Sequence, residues 1–567
     1  MFEYIKIMEK RLSEEDAAEL KSIYEPKIVA VPPGNARRQF AVMPDGEIRS
    51  YDDKAQYYIY STDCGLSFKK KNGKPGSLGP STHVPGKSRY VSIREKHAFY
   101  SDFGPDGDAV EVKYDVPDLG DSFNPYPVEM PDGKIRLITC SHETVDRVLN
   151  GVRQLYEIPV LSISDDCGES WRLLYLKTLE ALPEAWPHLG VRWENFINEN
   201  HITTLPDGRL MILARTSRDK FYQYFSEDFG ETWSDPTPSP FFGVNTTPYL
   251  LRLHDGRVVV FWNNTQPLPE EDKHRMNYPV DNGDIIGLAE DVFTNRDACH
   301  AAVTEDGVNY IGFREIWLND VRNSPDFRSC GTFEADKSVH QFEALELPFG
   351  KILVHFGQNS ASRRLAIFDI NWLYDTERTE NFRNGLSNVS TQLYVKSCSG
   401  SIFGRYPGHC AWNRTNGALL VPDPSLHGAE VLQICRVHDE RLFSEKQGLV
   451  WNFPASKSGE VSLEMMICQS GVAMSLCDHW FNPCDDAAPW YAVFATKLDK
   501  NTCPSGEWFI LTVKWDGDSA DILINNEKYR TIVSHNKTDI GISYLHLITL
   551  SENEDFEGVL IRSMSKK

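Results

Sequence analysis

One eight-residue pattern, Ser-x-Asp-x-Gly-x-Ser/Thr-aromatic, occurs three times in the chain, at 61–68 (STDCGLSF), 164–171 (SDDCGESW) and 226–233 (SEDFGETW). A fourth copy at 304–310 (TEDGVNY) keeps the Asp-Gly part of the pattern. The Asp is suited to accept hydrogen bonds from the backbone of a tight turn, and the Gly can take a positive φ. Because three copies share the same constrained positions, they indicate one supersecondary unit repeated along the chain.

A second series of turns lies between these copies. Apolar segments follow Pro-Asp-Gly at 44–46, 131–133 and 206–208, His-Asp-Gly at 254–256 and Pro-Phe-Gly at 348–350. Asp-Gly between apolar runs is the strongest short-range signal of a β-hairpin. Hairpins repeated in this way predict the blades of a β-propeller, and we count five or six blades before residue 375.

The eight-residue pattern resembles the Asp-box (BNR) repeat of the sialidase-like β-propeller family. The resemblance extends over roughly residues 30–375 and implies six blades. The repeats stop before a polar segment at 375–388. The predicted fold class is therefore all-β, a six-bladed sialidase-like β-propeller followed by a β-sandwich domain.

Three segments are predicted from this division: an N-terminal helix or extension over 1–29, the propeller over 30–378 and the sandwich over 390–567. Residues 1–25 have the pattern of an amphipathic helix. The sandwich prediction depends on 507–517 followed by 520–526, which resembles the closing hairpin of a concanavalin- or laminin-G-like domain. Such a domain either binds sugar or braces the propeller. Trp480, Trp490 and Trp515 are the aromatic candidates for stacking on a sugar.

The composition excludes several classes of protein. A net charge of -22 over 567 residues argues against nucleic-acid binding, which needs a basic surface. The longest apolar runs are too short to cross a bilayer, and residues 1–25 lack a secretory signal, so a cytoplasmic protein is predicted, or a secreted one if a signal has been trimmed. The 12 cysteines have no regular spacing and are predicted to be reduced thiols. Cys477, His479 and Cys484 fit no zinc spacing, and neither a metal nor a cofactor is predicted.

The resemblance also implies where an acidic sugar is bound. Glu199 and Arg215 repeat the family's order of a Glu followed by an Arg. Arg296 precedes the fourth Asp box where sialidases place an arginine of their carboxylate-binding triad, and Arg37 or Arg38 lies near the place of the first-blade arginine. Guanidinium groups bind carboxylates bidentately and stay charged at every working pH. We therefore expect these arginines to hold an acidic glycan.

Catalytic roles follow from the same comparison. Asp52 and Asp53 precede the strand that enters the first Asp box, where the family carries its acid/base Asp. Glu199 is expected to act as a base toward a nucleophile. His340 is a further catalytic candidate, since together with Glu343 it can supply base chemistry. Three other residues are expected to line the same cleft: His201, His300 and Tyr249.

Two departures from the family bear on the mechanism. The family's Arg-Ile-Pro signature is replaced by Arg37-Arg38-Gln39-Phe40, and residues 338–345 (SVHQFEAL) contain no Tyr where sialidases carry their nucleophile. The remaining candidates for the nucleophile are Tyr126, Tyr249 and Tyr278.

Three functions remain open at this point. The first is a sialidase-type glycoside hydrolase that acts on a terminal acidic sugar. The second is a propeller lyase that uses His and Tyr on uronic-acid polysaccharides, and the third is a non-catalytic sugar-binding propeller. A propeller fold does not decide among them, because propellers carry many functions.

Overall fold

The computed structural model describes residues 2–32, 40–52, 56–94, 97–112, 124–149, 152–180, 197–216, 218, 220–243, 246–265, 296, 298–318, 339–357, 362–394, 414–442, 444–486 and 488–567. Within these residues the first part of the chain forms six four-stranded antiparallel sheets. The first strand, β1, is Lys27–Ala30. Sheet 1 contains β2 (Ala41–Val42), β3 (Ile48–Tyr51), β4 (Tyr57–Ser61) and β5 (Lys69–Asn72). Sheet 2 contains β6 (Thr82–His83), β7 (Tyr90–Arg94), β8 (His97–Ser101) and β9 (Val110–Val112).

The next four sheets continue in chain order. Sheet 3 contains β10 (Tyr126–Glu129), β11 (Ile135–Leu149), β12 (Val152–Ser164) and β13 (Arg172–Tyr175). Sheet 4 contains β14 (Ile197–Thr204), β15 (Leu210–Thr216), β16 (Lys220–Ser226) and β17 (Thr237–Phe242). Sheet 5 contains β18 (Tyr249–Arg252), β19 (Val258–Trp262), β20 (Ala298–Thr304) and β21 (Tyr310–Leu318). Sheet 6 contains β22 (Glu343–Leu347), β23 (Lys351–Phe356) and β24 (Arg364–Asp369), and β1 completes it by pairing with β24.

Each Asp box packs on the preceding sheet. The Asp-box glycines of sheets 3 and 4 lie against Val91 of sheet 2 and Ile138 of sheet 3. Gly65 of sheet 1 lies against Leu353 and Ile367 of sheet 6, so the first and last sheets share one hydrophobic core. The predicted six-bladed propeller is thus confirmed, because local turns and apolar strands place six equivalent sheets side by side in chain order.

The two edges of the sheets differ in what they carry. The turns after the innermost strands and the Asp boxes lie at one edge, which we call the Asp-box face. The other edge is called the opposite face. It carries the starts of the innermost strands, the ends of the second strands and the starts of the third strands. Asn198 of β14 pairs with Arg215 of β15 at this opposite face.

The N-terminal segment forms two helices where the sequence predicted one. Helix α1 is Glu3–Arg11 and helix α2 is Glu14–Ser22. The break follows from Ser13, whose hydroxyl accepts a hydrogen bond from the Asp16 amide at 3.0 Å and begins a second helix. Helix α1 lies on the Asp-box face, because Arg11 pairs with Asp45 in the first Pro-Asp-Gly turn at 3.0 Å.

The second part of the chain forms two larger sheets. One sheet contains β25 (Arg378–Glu380), β29 (Leu419–Pro422), β30 (Glu430–Arg436), β32 (Ser458–Ile467), β35 (Phe509–Asp516), β36 (Ser519–Ile524), β37 (Glu527–Val533) and β39 (Asp555–Lys566). The other contains β26 (Val389–Ser390), β31 (Gly448–Ser456), β33 (Val472–Cys477), β34 (Phe494–Leu498) and β38 (Ile542–Thr549). Two smaller elements lie beside them, the pair β27 (Leu393–Tyr394) and β28 (Arg414–Thr415), and helix α3 (Ala488–Tyr491).

One hydrophobic core, which includes Trp451, Leu463 and Leu545, fills the space between these two sheets, and the predicted β-sandwich is confirmed. The hairpin foreseen at 507–526 is β35 and β36, near the sheet edge, while the last strand, β39, runs through the middle of its sheet. The boundaries 1–29, 30–378 and 390–567 stay a prediction. Strand β25, which precedes residue 390, pairs with β39.

We expect Asp166→Ala to lower the free energy of unfolding by about 1–3 kcal/mol. Asp166 accepts hydrogen bonds from Ser164 Oγ at 2.8 Å and from the Ser170 amide and hydroxyl at 2.8 and 2.5 Å. Burial alone would raise the pKa of Asp166, but these hydrogen bonds lower it. Urea unfolding measures the effect. The control is Asp235→Ala, which removes an exposed ion pair with Lys177 and is expected to change stability by less than about 1 kcal/mol. Equal losses in both variants would contradict a structural role for the Asp box.

Candidate functional site

Glu199 lies at the opposite face, at an irregularity in the innermost strand of sheet 4. The pairing of β14 with β15 shifts register between Asn198 and His201, and Glu199 takes a φ of 43°. Gln341, just before the innermost strand of sheet 6, takes a φ of 63°. A left-handed backbone costs energy for any residue with a side chain, and such positions are concentrated at functional sites. Both of these backbones lie at the opposite face, at or just before an innermost strand.

The side chains of these two residues meet. The carboxylate of Glu199 accepts hydrogen bonds from Arg215, from the Thr247 hydroxyl and from Gln341. The side chains of Glu199 and Arg215 are 12% and 11% exposed, so the pair is largely buried but reachable from solvent. Burial alone would raise the pKa of Glu199, but Arg215, Thr247 and Gln341 lower it. Glu199 is therefore a fixed, ionised carboxylate at neutral pH.

A second carboxyl group lies behind this pair. Glu157 of β12 is 3% exposed, and its Oε2 accepts a hydrogen bond from the Ile197 amide at 3.0 Å. Its Oε1 lies 3.5 Å from Nε2 of His142. Burial raises the pKa of Glu157 to about 7, and the charge of Glu199 adds to this while Arg215 opposes it. The two glutamates thus have pKa values displaced in opposite directions, an arrangement typical of acid/base sites.

We expect Glu157→Gln to become more stable relative to the wild type as the pH rises. The quantity compared is the free energy of unfolding of the two proteins. The pKa of Glu157 is about 7 in the folded protein against 4.5 ordinarily. Between these two values the folded state holds a proton that the unfolded chain has lost, so the folded state of the wild type loses stability as the pH rises through this window. The loss is at most ~3 kcal/mol at alkaline pH, and the glutamine variant lacks it.

Urea unfolding of both proteins at about pH 5 and about pH 8 measures this difference. The control is Glu143→Gln on the neighbouring strand, whose carboxylate bonds the exposed Tyr175 and which should show no such trend. A pH-independent difference between wild type and Glu157→Gln would show that Glu157 is ionised throughout.

Arg296 and His340 lie at the opposite face, between sheets 5 and 6. The Arg296 carbonyl accepts a hydrogen bond from the Val339 amide at 2.7 Å, and the His340 carbonyl accepts one from the Gly357 amide at 2.7 Å. Both side chains are nearly inaccessible, at 1% and 3% exposed. His340 directly precedes Gln341 in the chain, which places it next to the Glu199 cluster.

Asp52 closes its own hairpin. Its Oδ1 accepts a hydrogen bond from the Tyr57 amide at 3.0 Å, and its own amide donates to the Tyr57 carbonyl. This turn lies at the opposite face of sheet 1, and Asp52 is 6% exposed. The other acid/base candidate, Asp53, and the first-blade arginines, Arg37 and Arg38, lie outside the described residues.

The remaining cleft candidates occupy two different places. His201 and Tyr249 contact each other in the centre of the propeller, with ring centroids 4.4 Å apart, and burial lowers the pKa of His201 to about 4. His300 lies instead at the contact with the sandwich. Its Nδ1 accepts a hydrogen bond from the Asn264 amide at 3.1 Å, and its Nε2 bonds the hydroxyl of Tyr544 from β38. The structure therefore does not bring His300 together with His201 and Tyr249.

Sequence reasoning missed several residues of this face: Glu157, His142, Thr247 and Arg363. It also treated Gln341 only as part of a stretch that lacks a Tyr. Arg363 is 1% exposed and precedes β24, the third strand of sheet 6, much as Arg296 precedes the third strand of sheet 5. That repeated position is a signal that could have identified Arg363. Glu157 has no such signal, since it belongs to sheet 3 and only the tertiary structure brings it to the Ile197 amide at the start of sheet 4.

One family model and several solved structures are similar to this chain. A family model described as a BNR repeat-like domain matches residues 123–320. Trypanosoma rangeli sialidase is similar in structure at 12% identity, with 96% of this chain and 91% of that chain covered and a TM-score of 0.34. The same enzyme in complex with sialic acid gives 12% identity, the same coverage and a TM-score of 0.32. A Dyadobacter fermentans protein of unknown function gives 14% identity, 61% and 97% coverage and a TM-score of 0.28. A search of the curated proteins found no match.

The chain therefore has a sialidase-like BNR-repeat fold, which its own six sheets and Asp boxes define. None of the helices in the described ranges has the length and hydropathy that a membrane crossing needs. None of the nine cysteines that the structure describes forms a disulfide.

Proposed function

We propose that this protein is a glycoside hydrolase of sialidase type that removes a terminal acidic sugar bound at the opposite face. The observation that supports this most directly is the ionised carboxylate of Glu199, which Arg215, Thr247 and Gln341 hold by hydrogen bonds within reach of solvent. Both Glu199 and Gln341 have a left-handed backbone. Backbone strain and a largely buried charge both reduce stability, and both are expected where a reaction needs a fixed anion.

Glu199 has a definite role in this proposal. Glycoside hydrolysis passes through a transition state with positive charge on the sugar ring. A carboxylate whose pKa is lowered is a weak base but a strong electrostatic partner for that charge. Glu157, with its raised pKa, is a positioning residue, because it bonds the Ile197 amide two residues before Glu199.

Arginines at the same face supply the counter-charge for an acidic substrate. Arg215, Arg296 and Arg363 are each largely or fully buried at this edge of sheets 4, 5 and 6. In a protein of net charge -22, a local group of cations is needed to hold an anion. We propose that Arg296 binds the sugar carboxylate and that Arg37 or Arg38 contributes from the first blade.

One specific observation favours a second function, a sugar-binding propeller without catalysis. Gln341 bonds Glu199 from the segment where sialidases carry their nucleophilic Tyr, and an amide cannot form a glycosyl intermediate. Two of the alternative tyrosines are already engaged: Tyr249 donates to the Ala344 carbonyl at 3.3 Å, and Tyr126 accepts from the Thr204 amide at 3.1 Å. Tyr278 lies outside the described residues. The engaged hydroxyl of Tyr249 also gives no support to the lyase, which needs a Tyr free to transfer a proton.

A chromogenic aryl α-sialoside tests the proposal. Release of the aryl group with turnover would support hydrolysis, and the sugar product analysed by NMR would show retention or inversion. Saturable binding of sialic acid without release would select the sugar-binding function. An unsaturated product from a uronic-acid polysaccharide would select the lyase. The cytoplasmic location expected from the sequence stays a prediction.

A further inference from the structure

The second and third strands of sheet 3 extend beyond the rest of their sheet. Strand β10 pairs with β11 as far as Ile138, and β13 pairs with β12 only from Val160 onward. At the opposite face β11 and β12 remain paired with each other well past these points. We call this two-stranded part, which consists of 142–149 and 152–159, the ribbon.

The base of the ribbon belongs to the Glu199 site. Glu157 faces sheet 4, because its Oε2 accepts the hydrogen bond from the Ile197 amide, two residues before Glu199. Thr144 lies directly opposite Glu157 on the other strand, and β11 continues for five residues beyond it to Leu149. Since a strand rises ~3.4 Å per residue, the ribbon extends ~17 Å past the level of Glu157.

Exposed polar side chains continue the face of the ribbon that begins at Glu157. Side chains of directly opposite residues share a face, as do side chains two residues apart, so Thr144 and Asp146 lie on this face. Both are exposed, whereas Glu157 and His142 at the base are buried. A hydroxyl both donates and accepts hydrogen bonds and a carboxylate accepts them, which suits the hydroxyls of a sugar. The negative charge of Asp146 favours a neutral sugar over an acidic one.

The length of the ribbon calls for a partner. A hairpin of two strands adds little stability by itself, so the fold gains little from a projection of this length. Because the ribbon is continuous with the Glu199 site and extends far beyond one sugar ring, its occupant is the part of the substrate that follows the terminal sugar.

We propose that the ribbon binds the leaving group of the substrate, a neutral oligosaccharide chain, while the terminal acidic sugar lies at Glu199. This inference rests on the proposed function, because it assigns the part of the substrate beyond the bond that is cleaved. Thr144 and Asp146 are the residues of the described face that would bond the chain.

A shortened ribbon tests the proposal. The variant lacks 146–149 and 152–155, so that Val145 and Tyr156, which pair directly, are joined by Asn150-Gly151. Asn-Gly is favoured in two-residue hairpin loops, and removal of an even number of residues from each strand keeps every remaining side chain on its own face. Sialyllactose and an aryl α-sialoside are the substrates, because they share the acidic sugar and differ in the leaving group.

We expect kcat/KM of the shortened variant to fall by about ten- to a hundredfold on sialyllactose and to change by less than about twofold on the aryl sialoside, since several hydrogen bonds to the leaving group are lost. Thr144→Val keeps the test decisive if the shortened chain folds poorly. It should lower kcat/KM on sialyllactose by about two- to tenfold. The matched control is Thr237→Val, which changes an exposed strand threonine of sheet 4 and should leave both rates unchanged.

Equal losses on both substrates would show that the ribbon only positions Glu157, and unchanged rates on both would show that it contacts no leaving group; either result overturns the proposal. If the wild type hydrolyses neither substrate, the hydrolase fails, and calorimetry decides about the ribbon. Tighter binding of sialyllactose than of sialic acid, lost in the shortened variant, would support the ribbon as a glycan site. Equal binding of the two, or no binding of sialyllactose, would overturn it.

Discussion

Replacing Arg215 with methionine is expected to lower the free energy of unfolding by about 3–5 kcal/mol. The variant leaves Glu199 largely buried, with the Thr247 hydroxyl and the Gln341 amide as its remaining hydrogen-bond donors among the described residues. A buried charge without its counter-charge is more costly than the loss of the ion pair itself, because the carboxylate cannot return to water. Urea unfolding, followed through the first transition, measures the change.

A double variant separates this effect from simple loss of packing. Glu199→Gln together with Arg215→Met removes both charges, and we expect it to recover most of the stability that Arg215→Met loses. The control is Arg172→Met, whose ion pair with Glu231 is about half exposed and contributes less than about 1 kcal/mol. If the double variant is as unstable as Arg215→Met, the two charges are not coupled, and the ion pair does not contribute to the free energy of unfolding.

The second large effect concerns catalysis. Glu199→Gln should reduce kcat/KM on an aryl α-sialoside by a hundredfold or more, because the amide carries no charge to face the positive transition state. The fold should persist with a lower melting temperature, because the amide keeps the size of the side chain and still accepts a hydrogen bond from Thr247 but leaves Arg215 without its counter-charge. Initial rates and the melting temperature, measured on the same preparation, distinguish a lost reaction from a lost fold.

Glu227→Gln is the matched control, because this exposed glutamate belongs to the same sheet but lies in the Asp box at the other face. It should retain full activity. Hydrolysis by Glu199→Gln at the wild-type rate would remove Glu199 from the reaction. Absence of hydrolysis in the wild type, with sialic acid still bound, would replace the hydrolase by a sugar-binding protein.

The turns and the sheets follow from local sequence. The carboxylate of Asp63 accepts hydrogen bonds from the hydroxyls of Ser61 and Ser67 within seven residues, so the Asp box forms wherever the pattern occurs. The Asp-Gly turns similarly fix where each innermost strand reverses. The order of Glu199 and Arg215 also predicted a real contact, because a hairpin of known length brings the start of one strand opposite the end of the next.

The rest of the site depended on tertiary structure. Gln341 reaches Glu199 only because sheets 4 and 6 flank sheet 5 and direct their innermost strands toward one centre, and the sequence gives no distance between them. The position of His300 in its strand does not reveal whether its side chain faces a cleft or the sandwich. Its hydrogen bond with Tyr544 of the sandwich decides this, and that bond forms only in the tertiary structure. Local hydrogen bonds are encoded by neighbouring residues, whereas contacts between blades depend on the packing of the whole ring.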